Sequence, residues 1–153
     1  MYKFFYWLRG VPRNIRDGIF NLCYWFPTVW RYRDWDQSFI YEILAKKLEK
    51  QALCIATGWS VDGPKEALKM WKCVRLIRDL QEEKYVDEAF EGHFEKWGWP
   101  PWSLGGTEKR DPANAEAEKR EFNIRHRWGY RRHGRARKKL FRMLEENIEG
   151  WWD

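Results

Sequence analysis

Charged and aromatic side chains alternate at positions 30–36 of this chain, which read Trp-Arg-Tyr-Arg-Asp-Trp-Asp. Guanidinium groups bind phosphates and stack on aromatic rings, and the amino end of a helix offers free N–H groups to an anion. Because a helix is predicted to begin here, the segment predicts an anion site formed by Arg31, Arg33, Asp34, Trp35 and Asp36. The competing interpretation is structural: the aspartates cap the helix, and the arginines pair with them or stack on the indoles.

Lys96 and Trp97 are the second pair with this chemistry, just before a stretch rich in Gly, Pro and Trp. An indole face can accept a planar base, and an ammonium group can neutralise a phosphate. We therefore expect Lys96 and Trp97 to extend the ligand site.

The segment from Arg125 to Arg142 contains nine Lys or Arg residues and no acid, interleaved with His126, Trp128, Tyr130 and His133. The whole chain carries a net charge of +6, so the positive charge is concentrated in this segment. Cations beside aromatic rings are typical of proteins that bind single strands or nucleotides. The predicted phosphate contacts are Arg125, Arg127, Arg131, Arg132, Arg135 and Lys138. The alternative is a solvated basic helix face.

Evidence for catalysis or a cofactor is weak. Acidic residues at 82–95 could hold Mg²⁺ as in helical nucleotide pyrophosphohydrolases, but the paired acidic element of those enzymes is missing, so a solvated acidic face is the preferred interpretation. The three histidines have no zinc-ligand spacing, and there is no nucleophile elbow or phosphate-binding glycine loop. We expect no catalytic residues, no metal and no cofactor, which makes an enzyme the less favoured class.

Composition limits the fold and the compartment. At 153 residues with 44% hydrophobic and 34% charged residues, the chain fits one folded domain. Cys23, Cys54 and Cys73 lack paired spacing, which indicates reduced, buried thiols. The amino-terminal apolar run is broken by Arg9 and no cleavage site follows, and no run reaches the ~20 residues that span a bilayer. We expect a cytoplasmic protein without a membrane partner.

Helical periodicity dominates, and it predicts one all-α domain over 1–153, a bundle of five or six helices with one long loop. The domain divides into an aromatic helix at 1–26, a helical hairpin plus a short helix at 34–97, a loop at about 98–112 and a bent helix at 113–150. The first helix is expected to start after Pro12 and stop before Pro27, and Gly129 and Gly134 are expected to interrupt the last one.

Spacing also predicts what each helix buries. The second helix should bury Ile40, Leu44 and Leu48 and expose Glu42, ending at Gly58; the third should bury Ala67, Met70, Trp71, Val74, Ile77 and Leu80. A fourth helix from Asp87 to Trp97 should bury Phe90 and Phe94, and the last should bury Leu140, Phe141, Leu144 and Ile148. Trp151 and Trp152 must pack back on the domain or bury in another subunit, which predicts a homo-oligomer.

The order of motifs from about Pro27 onward resembles small helical proteins of tailed bacteriophages: Trp-Arg-Tyr-Arg-Asp-Trp-Asp at 30–36, Lys-Trp-Gly at 96–98 and Trp-Trp-Asp at 151–153. The resemblance implies an origin and brings no established activity. The basic stretch at 125–137 is not part of it.

Three functions follow as expectations. The leading one is a phage-encoded, homo-oligomeric binder in the host cytoplasm that sequesters an anionic nucleotide-like signal and so counters host defence, by analogy with nucleotide sponges. The alternatives are a nucleic-acid-binding accessory protein that acts through 125–142, or a virion component or partner of a host defence protein.

Overall fold

The computed structural model describes residues 2–31, 36–58, 62–97 and 112–151, with side chains from Pro12 and, in the last range, from Asn114. Every regular element in these ranges is helical: α1 Tyr2–Arg31, α2 Gln37–Ala56, α3 Gly63–Gln81, α4 Lys84–Phe90, α5 His93–Trp97, α6 Pro112–Asn147, and a 3₁₀ turn Glu149–Trp151. The predicted all-α helical bundle is confirmed. Packing divides it into two compact units, residues 1–44 and 45–153.

In the first unit, α1 runs through both Pro12 and Pro27, so the predicted start after Pro12 and stop before Pro27 are wrong. A proline inside a helix removes an N–H donor and leaves the carbonyl group four residues earlier without its partner. Pro27 and Cys23 are both exposed, so water can reach the carbonyl group that loses this bond. The segment can therefore stay helical across a residue that normally ends a helix.

Asp36 caps α2, as one interpretation of the sequence predicted. One carboxylate oxygen accepts the backbone N–H of Ser38 at 3.0 Å and the other accepts its hydroxyl at 2.6 Å. These hydrogen bonds hold the pKa of Asp36 below its ordinary value. The predicted pattern of α2 is only partly right, because Leu48 is buried whereas Ile40 is 65% exposed and Glu42, expected outside, is buried.

The core of the second unit lies where α3 and α4 pack against α6. Helix α3 buries residues at helical spacing as predicted: Ala67, Met70, Val74, Ile77 and Leu80, with Cys73. Trp71 was predicted to belong to this stripe but is 40% exposed, because it lies about 100° around the helix from Met70.

On α6, Leu140 and Leu144 are buried as predicted, while Ile148, after the end of α6, is partly buried. Phe141 is 52% exposed, so its predicted burial is wrong. The reason is again angular, since adjacent helical residues point about 100° apart.

The predicted single helix from Asp87 to Trp97 is wrong, because two short helices occupy this stretch. Helix α4 ends at Phe90, Gly92 has a φ of +70°, and α5 starts at His93. Glycine adopts this left-handed conformation without a steric penalty, so it permits the turn. The buried residues are Ala89 and His93, whereas Phe90 and Phe94 are partly exposed.

Helix α6 is continuous through Gly129 and Gly134, so the predicted division into two segments is wrong. Gly129 is buried against α4: a Cβ atom there would lie 3.0 Å from Ala89 Cβ and 3.2 Å from Val86 Cα. Gly134 has no neighbour within 4 Å of such a position. Gly129 therefore serves the close approach of two helices, not the end of one.

Trp151 packs back on the second unit. Its indole is 2% exposed and donates to Glu66 Oε2 at 3.0 Å, while its carbonyl oxygen accepts from Gln51 at 3.0 Å. Hydrogen bonds from Lys69 and then from Trp151 hold the pKa of Glu66 below its ordinary value. Of the two predicted places for the terminal indoles, Trp151 takes the intramolecular one, and Trp152 lies outside the described residues.

The three thiols are free, but burial was predicted correctly for only one of them. Cys73 is buried, which raises the pKa of its thiol to about 11, whereas Cys23 and Cys54 are exposed. Among the described residues, no helix combines the length and the apolar character that crossing a bilayer requires.

Candidate nucleic-acid interface

Eight of the nine cations of the basic segment fall into two groups, those held by internal contacts and those that are exposed. Arg125 and Arg132 lie on the side that packs against α4, and both are held by internal contacts. Six others are exposed. Position around the helix explains part of this division, since Arg127, Arg131 and Lys138 lie about 120–160° from Arg125, although Lys139 lies about 40° from it and is also exposed.

Arg125 fastens the carboxyl end of α4. Its guanidinium donates to the carbonyl oxygens of Ala89 at 2.8 Å and Glu91 at 3.1 Å, which lie where the helix has run out of N–H donors. The same guanidinium donates to Glu121 Oε1 at 2.8 Å, four residues earlier on α6. Arg125 was predicted to contact phosphate, and in the structure it is a helix-capping residue.

Arg132 holds the other end of the contact between α4 and α6. It donates to Glu88 at 2.9 Å, and its guanidinium carbon lies 5.4 Å from the ring centre of Tyr85 and 4.7 Å from that of Trp128. Cation–π contacts of this kind stabilise the cation where it is. Burial of Tyr85 raises the pKa of its hydroxyl above the ordinary value, and the negative charge of Asp79 raises this pKa further. Arg132 was also predicted to contact phosphate, and in the structure it is held by contacts within the fold.

Six cations of the segment remain exposed: Arg127, Arg131, Arg135, Arg137, Lys138 and Lys139. None of them forms an ion pair with another residue in the described part of the chain, while Arg142 pairs with Glu146 at 3.4 Å in solvent. A helix whose only need was solvation would gain from acids four residues away. Their absence leaves this charge available for an external anion.

Four of the six cations form a row. At about 100° per residue, Arg131 and Lys138 lie within about 40° of Arg127, and Arg135 lies about 80° away. From Arg127 to Lys138 the helix advances by eleven steps, which at about 1.5 Å each is about 17 Å. Phosphates along one strand of a nucleic acid repeat every few ångströms, so the row matches several consecutive phosphates. We name Arg127, Arg131, Arg135 and Lys138 the cationic row.

Aromatic rings lie beside the cationic row. Tyr130 and Phe141 are each 52% exposed on α6, about 60° and 40° from Arg127 on the side opposite Arg135. His126 lies 4.5 Å from Tyr130 between ring centres and supports its position. Exposed rings next to unpaired cations are the combination that binds the bases and the backbone of a single strand.

The predicted ligand site at 30–36 is described only in part. Arg31 is exposed at the end of α1, Asp36 caps α2, and Arg33, Asp34 and Trp35 lie outside the described residues. Its predicted extension, Lys96 and Trp97, is placed within the second unit. Lys96 Nζ lies 2.7 Å and the Trp97 indole nitrogen 3.0 Å from Glu121 Oε2, so their polar groups already have a partner.

Glu121 is the residue that sequence reasoning missed. It accepts hydrogen bonds from Lys96, Trp97 and Arg125, and these hold its pKa at about 2. His93 Nδ1 lies 3.7 Å from Glu121 Oε1 and has no hydrogen-bond partner. Glutamate in a helix rich in Ala and Glu carries no signal of this role, since two of its three donors, Lys96 and Trp97, come from α5, some 25 residues away.

One acidic residue of α4 already has a partner within the fold. Glu88 is paired with Arg132, and in the described ranges no three His, Cys, Asp or Glu residues are placed to hold a metal ion.

Comparison with protein-family models, curated proteins and solved structures finds no match to this chain. The evidence for the candidate interface therefore comes from the charge, exposure and position of its own residues.

Proposed function

We propose that the protein is a nucleic-acid-binding accessory protein that binds a single strand through the cationic row of α6 and catalyses no reaction. The observation that carries this proposal is the set of six exposed cations without an ion-pair partner among the described residues. The cationic row holds the phosphates, and Tyr130 and Phe141 offer faces on which bases stack.

A single strand fits the surface better than a duplex. The row is one convex helix face, so a flexible strand can bring both its backbone and its unstacked bases to the same side. Stacking on an aromatic ring contributes about 1–3 kcal/mol per base, and it is available only to bases that have left a duplex.

The test is fluorescence anisotropy with a labelled single-stranded oligonucleotide at several salt concentrations. If four phosphates are neutralised, log K should fall with log salt with a slope of about −3, from about 0.7 per phosphate. The double variant Arg131→Glu/Lys138→Glu should weaken binding and make the slope shallower by about 1.4. Tyr130→Ala should weaken binding to the single strand and leave binding to a duplex unchanged.

The matched control reverses the same charge elsewhere. Lys72 and Arg75 are exposed on α3, and the double variant Lys72→Glu/Arg75→Glu lowers the net charge by the same four units. If both double variants weaken binding equally, the effect comes from net charge and the cationic row is not the interface.

Sequestration of an anionic nucleotide-like signal at Arg31, Arg33, Asp34, Trp35 and Asp36 stays a prediction, together with phage origin and an action against host defence. Its support is the residue chemistry and the motif order at 30–36, 96–98 and 151–153. Titration calorimetry with a panel of nucleotides tests it separately, because binding there should survive Arg131→Glu/Lys138→Glu.

A further inference from the structure

Helix α1 exposes a continuous apolar stripe. Five large side chains, each between 54% and 66% exposed, form it: Ile15, Ile19, Leu22, Phe26 and Val29. Trp30 lies at its edge, 80% exposed and stacked on Phe26 with ring centres 5.5 Å apart. Isolated exposed apolar residues are ordinary, but a contiguous stripe of this size marks a surface that is covered in the working protein.

The spacing of the stripe is that of a helix–helix seam. Its members follow one another at intervals of four, three, four and three residues, an average of 3.5 per turn. This is the alternation of a and d positions by which side chains of one helix insert between those of another. Ile19 and Leu22 provide a β-branched residue at a and a leucine at d, the pair that favours two strands.

We propose that α1 of one copy packs along α1 of a second copy of this chain, with the stripe at the centre of the interface. This inference concerns α1 and is independent of the binding proposed for α6. Since both surfaces are the same stripe, the pair is related by a two-fold axis.

Charge supports a second copy as the occupant. Of the cations with described side chains on α1, Arg16 pairs with Asp17 at 3.1 Å, while Arg13 and Arg31 lie about 160° around the helix from Ile15. Of the described positions that flank the stripe, Arg16 alone is charged, and its charge is paired with that of Asp17, whereas Gly18, Cys23 and Trp25 are uncharged. Two stripes can therefore meet without bringing like charges together. A helix lying on an anionic bilayer needs several cations at the edge of its apolar face, and the described part of α1 has one there, Arg16, which already pairs with Asp17.

The area is sufficient for a specific pair. The exposed parts of the five stripe residues and Trp30 amount to roughly 700 Å² per copy, taking the size of a buried aromatic side chain as 150–250 Å² and of an aliphatic one as somewhat less. Two copies would then bury roughly 1,400 Å², which lies within the 1,200–2,000 Å² of specific interfaces.

The test compares two phenylalanines on one helix. Phe26 lies in the stripe, whereas Phe20, which is 68% exposed, lies about 140° from Ile15. Analytical ultracentrifugation of the full chain should give about twice the chain mass of 18.9 kDa at micromolar concentration. Phe26→Glu and, as a second stripe variant, Ile19→Glu should give the single-chain mass, and Phe20→Glu should keep the doubled mass. Far-ultraviolet circular dichroism checks that each variant keeps its helix content.

Three results would overturn the proposal: a single-chain mass for the wild type across the concentration range, equal loss of association in Phe20→Glu and Phe26→Glu, or association that persists in both stripe variants. Pelleting with anionic phosphatidylserine vesicles is run in parallel. A wild-type chain that is monomeric and pellets with these vesicles, but not after Phe26→Glu, would assign the stripe to a membrane surface instead.

Discussion

Replacing Gly129 by alanine tests how closely α4 approaches α6. The added Cβ atom would lie 3.0 Å from Ala89 Cβ, 3.2 Å from Val86 Cα and 3.3 Å from the Tyr85 carbonyl oxygen. Two of these neighbours are backbone atoms, so α4 has to move as a body by a few tenths of an ångström. Overpacking of this kind costs about 1–3 kcal/mol, while alanine gains about 1 kcal/mol over glycine in helix propensity. The net expectation is a loss of about 0–2 kcal/mol in the free energy of unfolding.

The same helix supplies the control for this variant. Gly134 has no neighbour within 4 Å of its would-be Cβ atom, so Gly134→Ala should gain about 1 kcal/mol from propensity alone. The difference between the two variants isolates the packing cost of about 1–3 kcal/mol. Urea unfolding followed by circular dichroism measures it, and each kcal/mol should move Tm by about 2–4 °C. Equal stability of Gly129→Ala and Gly134→Ala would refute the close approach.

Three further outcomes are expected. Trp151→Phe should lose about 1–3 kcal/mol of stability in urea unfolding, because Glu66 loses an indole donor; Glu66→Gln in the same background should then add little. The folded-state pKa of Glu121 is depressed to about 2 from 4.5, so its contribution to stability is present above pH 4.5 and is lost as pH falls from about 4.5 toward 2. Glu121→Gln should flatten thermal stability across that window, and an unchanged pH profile would contradict the assignment. Cys54, which is exposed, should react with a thiol reagent at pH 8 in the native protein, whereas buried Cys73 should react only on unfolding.

The sequence predicts the parts of the fold that depend on local period. Met70, Val74 and Ile77 are buried because they recur on one side of one helix, and this spacing can be read without knowing the partner helix. Phe141 and Trp71 were misplaced because a local pattern defines the edge of an apolar stripe to within about one residue, or about 100°.

The candidate interface shows a different limit of prediction. The count of cations in 125–142 was available from the sequence, but their division into fastened and exposed residues was not. Arg125 and Arg132 are held by contacts within the fold because α4 lies against α6 at Gly129. This contact joins positions about 40 residues apart in the sequence. Gly129 itself was interpreted as a helix breaker, since a glycine that permits close packing and one that ends a helix look the same in one sequence.

The length of α6 has a consequence for how the protein opens. Its 36 residues extend about 54 Å, yet no residue from Asn114 to Arg120 is buried, and the buried positions begin at Gly129. The backbone hydrogen bonds of the first turns of α6 can therefore open, and their amide hydrogens exchange with water, without disturbing the core. The amides around Leu140 exchange their hydrogens only when α3 and α4 separate from α6. A single helix thus contains a gradient of protection, with the cationic row across its stable portion. A strand bound there would meet a surface that stays folded while the first turns of the same helix open and close.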